Sequence, residues 1–462
     1  MGALGDLAQY EASGQPDGEP VSPFLRLPGI RVACLPAYDG SRGNPYLSLT
    51  YEHLAEVGFV VVPRAQLSLR WLWRMRASVA LLHFHWQPDY FYLAKRGRYS
   101  DPPPRLPRLR SWFKLAGFAA RLRAARLLGY RIVWTIHDVF PPPSVLRPAT
   151  LGRGFDRVGQ RILARSCHGL IAHQDAVADL AATEFGIERS RIRVVPHGAY
   201  LDRYAAGRSR LEVRSELGID PHAFVFLAFG SMRPDKAIGP LLGAFQAVES
   251  ADVALIVAGR VEDVESLRLL QEAARRDPRI KALPGFVPDG DVRELFDAAD
   301  ASVLARGEEW TSGSVILSLS LGVPVVCARL AAHEDLVDGQ AGWLFDPASR
   351  DGLRDALEEA AASSHAELNA RRLGAAEAAR SLPTWEEVAG QEAAVMCEAI
   401  GSQERLEELA ERVWPLLEAR SPVWSTFPPV AAAGVPAKQT DETTEEAFEK
   451  RASLRAAAAR GS

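Results

Sequence analysis

Short apolar runs rich in β-branched residues recur along the chain, separated by longer stretches in which apolar positions return every three or four residues. Apolar runs of about four to eight residues mark strands, while a period near 3.6 marks helices. Six strand runs come first: Ile30–Leu35, Gly58–Val62, Val79–His85, Arg131–His137, Gly169–Ala172 and Ile192–Pro196. Six more follow: Phe224–Phe229, Val253–Ala258, Ile280–Leu283, Ala301–Leu304, Pro324–Cys327 and Gly342–Phe345, with helical patterns such as Ile238–Val248 and Val264–Arg276 between them. Strands that alternate with helices pair in parallel, so the pattern predicts an α/β fold of two doubly wound units facing a cleft.

The boundaries follow from where the pattern weakens. Residues 1–29 are rich in Gly, Pro and acids and predict a poorly ordered extension; 30–205 form the first Rossmann-like unit and 206–385 the second. The polar, charged stretch Tyr200–Leu217 is expected to be the linker. Residues 386–420 predict C-terminal helices with a return to the first unit, and 421–462 a disordered, Pro/Ala-rich and then charged tail.

The 462 residues suit roughly three units of about 150, which excludes a single small module. Apolar residues at 47% and charged residues at 24% describe an ordinary globular chain, not a fibrous or low-complexity one. Cys34, Cys167, Cys327 and Cys397 are far apart, without the spacing of a disulfide framework or zinc ribbon. Thr311–Ala328, the longest uncharged window, contains Pro324 and two glycines and predicts a buried helix then a strand, not a membrane span. With acids before Arg26 and no basic residue there, no secretory leader is expected, and the protein is expected in the cytoplasm.

The net charge of −4 hides an asymmetry: residues 1–205 carry 27 Lys+Arg against 16 Asp+Glu, the remainder 27 against 42. Arg105–Arg131 alone holds eight basic residues and no acid, interleaved with Trp112, Phe113 and Phe118. One reading is an ordinary helix with solvated Arg side chains. The other, with Arg70, Trp71, Trp73, Arg74 and Arg76, is a basic aromatic rim lying on an anionic membrane surface, peripheral on the inner face of the plasma membrane. Recognised nucleic-acid-binding modules are missing from the pattern, so no nucleic-acid partner is expected.

In open α/β sheets ligands bind beyond the carboxyl ends of the strands, so the residues just after each strand carry the candidate chemistry. The loop Pro36–Pro45, with Gly43 and Asn44, is either a plain turn or an acceptor-side loop. His83 and His85 fall on one face by strand alternation and are candidate acceptor-side hydrogen-bond partners; a zinc site lacks a third ligand. His137 and Asp138 end the fourth strand. In the second unit Gly230, Arg233 and Lys236 follow the first strand, where two fixed cations beside a glycine suit a diphosphate. Glu309, Thr311, Ser312, Gly313 and Ser314 precede an apolar helix whose free N–H groups make an anion site, with Glu309 placed for polyol hydroxyls.

These segments, in this order with Val195–Gly198, Val257–Gly259, Pro284–Phe286, Ala299-Asp300, Gly322–Val326 and Gly342, resemble the GT-B sugar-nucleotide glycosyltransferases of the family-4-like group over about residues 30–400. The resemblance implies a hexosyltransferase that needs no cofactor or metal. It uses a nucleoside diphosphate sugar as co-substrate and acts on a glycan or lipid-linked acceptor, in surface polysaccharide or glycoconjugate assembly. It implies donor diphosphate binding by Gly230, Arg233 and Lys236, a position near the donor sugar for His137, and for Glu309 the first place of a Glu-x7-Glu motif. The second place falls on Leu317, a departure that leaves the mode of ribose binding open. The resemblance leans towards retention of configuration, and Asp138 is the base for an inverting reaction. The alternatives are a non-catalytic sugar-nucleotide or glycan-binding protein of the same fold, and a transferase with a soluble small-molecule acceptor.

Overall fold

The computed structural model describes residues 29–37, 45–86, 88–91, 107–140, 153–232, 236–307, 312–337, 339–405 and 407. One sheet contains β1 (Ile30–Leu35), β2 (Phe59–Val61), β3 (Leu81–Phe84), β4 (Arg131–Ile136), β5 (Gly169–Ala172) and β6 (Ile192–Val194), in the order β2-β1-β3-β4-β5-β6. The other contains β7 (Phe224–Phe229), β8 (Val253–Gly259), β9 (Ile280–Pro284), β10 (Ala301–Leu304), β11 (Val325–Ala328) and β12 (Gly342–Phe345), in the order β12-β11-β10-β7-β8-β9. Every pairing is parallel.

Parallel strands require crossovers, and helices supply them. The first unit carries α1 (Tyr46–Glu56), α2 (Leu69–Met75), α3 (Pro88–Phe91), α4 (Pro107–Leu127), α5 (Arg153–Ser166) and α6 (Asp175–Phe185). The second carries α7 (Arg210–Glu216), α8 (Ile238–Gln246), α9 (Val264–Arg276), α10 (Asp289–Ala298), α11 (Gly313–Ser320), α12 (Ala331–Val337), α13 (Gly352–Ala361) and α14 (His365–Ser381), and α15 (Trp385–Ile400) follows. Because helices cover both faces, central strands are apolar throughout: all seven residues of β8 are buried, as are Val32 to Leu35. The uncharged Thr311–Ala328 window folds into α11 and β11.

Tyr200–Leu217 departs from the expected linker. Its second half is α7, opened by a reciprocal Ser209/Glu212 cap. Arg214 on α7 is 1% exposed and donates to the carbonyls of Ala298, Pro221 and Ala223 and to Asp300 Oδ2 at 2.7 Å. Asp300, itself buried at the amino end of β10, also accepts from Arg210, Arg372 and the Val225 amide. The polarity that read as a connector is therefore spent inside the fold, tying α7 and α14 to the base of the second sheet.

After β12 and its helices the chain returns to the first unit. α15 lies against α1, β4 and β5. Two glycines allow the approach: a Cβ on Gly169 would sit 2.8 Å from Val395, and one on Gly198 2.8 Å from the Trp385 ring. The crossing buries Glu392 completely, with Tyr46 donating its hydroxyl proton to Oε1 at 3.1 Å. Burial pushes the Glu392 carboxyl up to about 8, opposed by that hydrogen bond.

Replacing Asp300 with Ala leaves buried Arg214 without its carboxylate and is expected to cost about 3–5 kcal/mol in urea unfolding; a loss below about 1 kcal/mol would contradict the staple. Between the ordinary carboxylate range and pH 8 the folded chain holds a proton on Glu392 that the unfolded chain releases. This group therefore lowers stability as pH rises through that window. Glu392→Gln is expected to gain stability relative to the parent from pH 5 to pH 8 in thermal melts, and a pH-independent difference would contradict it.

Candidate active site

In the second sheet the chain winds outward from β7 through β8 to β9, then returns to β10 on the other side of β7. Loops leaving β7 and β10 diverge at this switch and open a crevice. A small cleft occupies it, lined by Val257, Val303, Leu241, Gly230, Lys236, Arg306 and Ser314. Gly230 turns with φ 116°, and a Cβ on Gly259 would come within 1.9 Å of the Gly230 carbonyl oxygen, so two bare backbones cross beneath the cleft. A side chain at Gly259 would force the two backbones apart, and one at Gly230 would be strained at that φ. Ser312 caps α11 by accepting from the Val315 amide at 3.3 Å, and Ser314, in the first turn of that helix, lines the crevice.

Of the residues expected here, the structure brings together Gly230, Lys236 and Ser314, with Ser312 as the cap behind them. Arg233, Glu309 and Thr311 lie outside the described residues, as do Gly43 and Asn44 of the acceptor-side loop. Arg306 was missed. It follows β10 by two residues, so the same reading of post-strand positions reaches it. Leu317, where the motif would place its second Glu, is 7% exposed.

The first sheet has its own switch, between β1 and β3. Beyond it His85, His137 and His173 each occupy the position directly after β3, β4 and β5, and His197 comes three residues after β6. Tyr46 of α1 stands among them, its ring centroid 4.8 Å from His137, 5.5 Å from His173, 5.2 Å from His197 and 5.5 Å from Trp385. Trp86 stacks on His137 at 4.7 Å. This cluster meets the second unit at α11, since a Cβ on Gly313 would lie 3.6 Å from the Tyr200 hydroxyl and 3.8 Å from His197 Nε2. The two carboxyl edges thus face each other.

Burial sets the charge of these rings. It lowers His83 and His197 to about 3 and His173 to about 4, with the charge of His173 adding to the effect at His197. It also holds His85 and His137 well below the ordinary range, where repulsion from neighbouring histidines acts in the same direction. All five are neutral at pH 7. His83 and His85, expected on the acceptor side, are both wholly buried, and their ring nitrogens are engaged by Tyr51, Thr135 and His137. His137 is partly exposed, and so is Asp138 beside it.

Sequence reasoning also missed His173, His197, Tyr46, Tyr200, Trp385 and Glu392. His173 has the same post-strand signal as His137. The rest come from helices or later loops whose facing is decided by packing. Among the described residues no cluster of three or more His, Cys, Asp or Glu is arranged to hold a metal ion.

With this geometry in hand, comparison with known proteins is informative. The family described as glycosyl transferases group 1 matches residues 223–363, and glycosyltransferase family 4 matches residues 109–203. The chain is 25% identical over 351 residues to a GDP-mannose:glycolipid 4-beta-D-mannosyltransferase of Xanthomonas campestris pv. campestris, covering 74% of this chain and 88% of that one. It is 28% identical over 227 residues to a D-inositol 3-phosphate glycosyltransferase of Actinosynnema mirum, covering 44% and 54%. Among solved structures, Anabaena HepE in complex with UDP and glucose shares the fold with TM-score 0.60 at 16% identity, over 80% of this chain and 99% of that one. WaaG, a glycosyltransferase involved in lipopolysaccharide biosynthesis, does so with TM-score 0.56 at 16% identity, over 79% and 99%. Two matched regions, one in each unit, two parallel six-stranded sheets and these relatives agree: the chain belongs to the GT-B, family-4-like glycosyltransferases.

Proposed function

We propose that the protein transfers a hexose from a nucleoside diphosphate sugar, held in the cleft between β7 and β10, to a lipid-linked glycan acceptor held by the first unit. The observation that carries this reading is the convergence of the Gly230 turn, Lys236, Arg306 and the start of α11 on one crevice that opens towards the histidine cluster. As the bond from the sugar to the diphosphate breaks, negative charge grows on the leaving oxygens. Two cations and preorganised N–H groups stabilise that charge more in the transition state than in the bound substrate, which is what accelerates the step. Arg233, Thr311 and Glu309 are proposed to complete the donor site, with His137 against the sugar and Asp138 beside it. The relatives support this donor class: HepE is solved with UDP-glucose, and the Xanthomonas enzyme is named for GDP-mannose. Leu317 supplies no carboxylate, so ribose recognition is assigned to other groups.

The acceptor side of the proposal rests on α2 and α4, which pack on one another. α4 buries Leu115, Phe118, Leu122 and Ala125 at helical spacing and leaves Trp112 and Phe113 exposed, while α2 exposes Leu69 and Trp73. Arg110, Arg123, Arg126, Arg70, Arg74 and Arg76 share these exposed surfaces, Arg76 lying over the Trp73 ring at 4.0 Å. Exposed aromatic rings among arginines suit an anionic lipid surface, where a lipid-linked acceptor resides. No helix among the described residues is long and apolar enough to cross a membrane, so this contact is proposed as peripheral, on the inner face of the plasma membrane.

Lys236→Ala and Arg306→Ala are each expected to lower nucleoside diphosphate release by one to three orders of magnitude with unchanged thermal stability, assayed with UDP-glucose and GDP-mannose as donors. A lost leaving-group contact is worth on the order of 3 kcal/mol. Parental turnover in both variants would remove the donor assignment, and binding without any release would favour the non-catalytic alternative. In vesicle sedimentation the full chain is expected to pellet with anionic vesicles at low salt and less at high salt, and the triple substitution Trp73→Ala, Trp112→Ala, Phe113→Ala to stay in the supernatant. A parent chain that does not pellet would point to a soluble acceptor.

A further inference from the structure

Two histidines at the carboxyl edge of the first sheet are held by backbone carbonyls. His173 Nδ1 meets the Val195 carbonyl oxygen at 2.9 Å, and His197 Nδ1 meets that of Gly198 at 2.8 Å. A carbonyl oxygen has no proton to give, so Nδ1 donates in each ring, and a neutral imidazole has only one N–H. Nε2 is therefore a bare acceptor in both. In His197 the protein itself answers it, with the Tyr200 hydroxyl 3.4 Å away. His173 is 2% exposed, and its Nε2 is closed to solvent and meets no hydrogen-bond partner among the described residues. Resting on the transferase reading above, we propose that His173 is a specificity-determining residue of the donor site, its Nε2 accepting a hydrogen bond from a hydroxyl of the transferred hexose.

The proton count holds because the ring is neutral. Burial lowers His173 to about 4, opposed by the Val195 hydrogen bond. The rings that face it are His137, Tyr46 and His197, with centroids 5.2, 5.5 and 5.6 Å away, and none of the three is charged at pH 7. Buried acceptors in folded proteins are paired as a rule, and an unmet one costs free energy. His173 Nε2 therefore calls for a donor that the described residues do not supply.

The place of the ring says which ligand brings that donor. His197 Nε2 would lie 3.8 Å from a Cβ on Gly313, the first residue of α11, so the histidine edge begins beside the crevice assigned to the diphosphate. A hexose attached to that diphosphate enters the first unit there and reaches His173 one ring further on, past the partly exposed His137. A bare nitrogen takes the O–H of a neutral sugar and opposes the proton-free oxygen of a carboxylate or phosphate. A nitrogen of such low basicity accepts the hydrogen bond without removing the proton, so the role is recognition and not general-base catalysis.

Calorimetric titration of the full chain at pH 7 with UDP-glucose, GDP-mannose, UDP and GDP tests the contact. His173→Leu is expected to weaken the sugar nucleotide that the parent binds by about 10- to 100-fold and to leave the matching free nucleotide unchanged, while His173→Gln, whose amide oxygen also accepts, recovers most of the loss. Two-bond proton–nitrogen correlation on the chain labelled with ¹⁵N-histidine, with His173 assigned from the Gln variant, is expected to show Nδ1–H and a bare Nε2 whose signal moves with the sugar nucleotide and not with the free nucleotide. The proposal is overturned by equal weakening of both ligands or none in a folded Leu variant, by an Nε2–H ring in the parent, or by an Nε2 signal indifferent to bound sugar nucleotide. The last two need only the parent chain, so a Leu variant that fails to fold leaves the proposal open to refutation. A parent that binds none of the four ligands removes the transferase reading itself, and this contact with it.

Discussion

Parallel pairing is the constraint on which the rest depends. A parallel sheet has no short turns, so each strand is followed by a crossover that must return over one face or the other. Where the winding reverses, between β1 and β3 and again between β7 and β10, two neighbouring loops depart in opposite directions. Both candidate halves of the site lie at these two reversals. The crevices are consequences of topology, and the residues around them decide what the crevices hold.

Desolvation then does different work in the two units. At the base of the second sheet it is met by pairing: buried Arg214 and Asp300 satisfy one another together with three backbone carbonyls and an amide. At the carboxyl edge of the first sheet it is met by neutrality: five histidines lose their basicity and join through hydrogen bonds and ring contacts. A neutral, preorganised edge thus lies opposite a crevice lined by Lys236 and Arg306. α15 unites the two, since the chain must leave the second unit and cross back for Trp385 and Glu392 to enclose Tyr46.

The charge asymmetry acquires a physical meaning from the same arrangement. Arginines of α2 and α4 accompany exposed aromatic rings on the first unit, whereas many charges of the second unit are consumed by helix pairs such as Arg268 with Glu265 and Glu272, and by its Asp300 cluster. Exposed pairs of that kind contribute little to stability. The first unit therefore exposes arginines beside aromatic rings, while the second pairs part of its charge and carries the excess of acids.

The sequence by itself determined the twelve strands, since apolar runs bounded by polar turns follow from burial on both faces: β1, β5, β7, β10 and β12 begin and end where the pattern predicts. It also led to Gly230, Lys236 and Ser314 as residues that share one crevice, because loops that follow the strands of a doubly wound unit gather at its carboxyl edge. Only the tertiary structure decided that Tyr200–Leu217 is in part a helix with Arg214 turned inward, that His83 and His85 are enclosed, and that Tyr46, Tyr51, Trp385 and Glu392 surround the histidine edge. Strand alternation specifies a face from the next residue along the chain. The facing of a helix and the pairing of buried polar groups depend on partners hundreds of residues away, such as Tyr46 and Glu392, whose meeting exists only once α15 has crossed between the units.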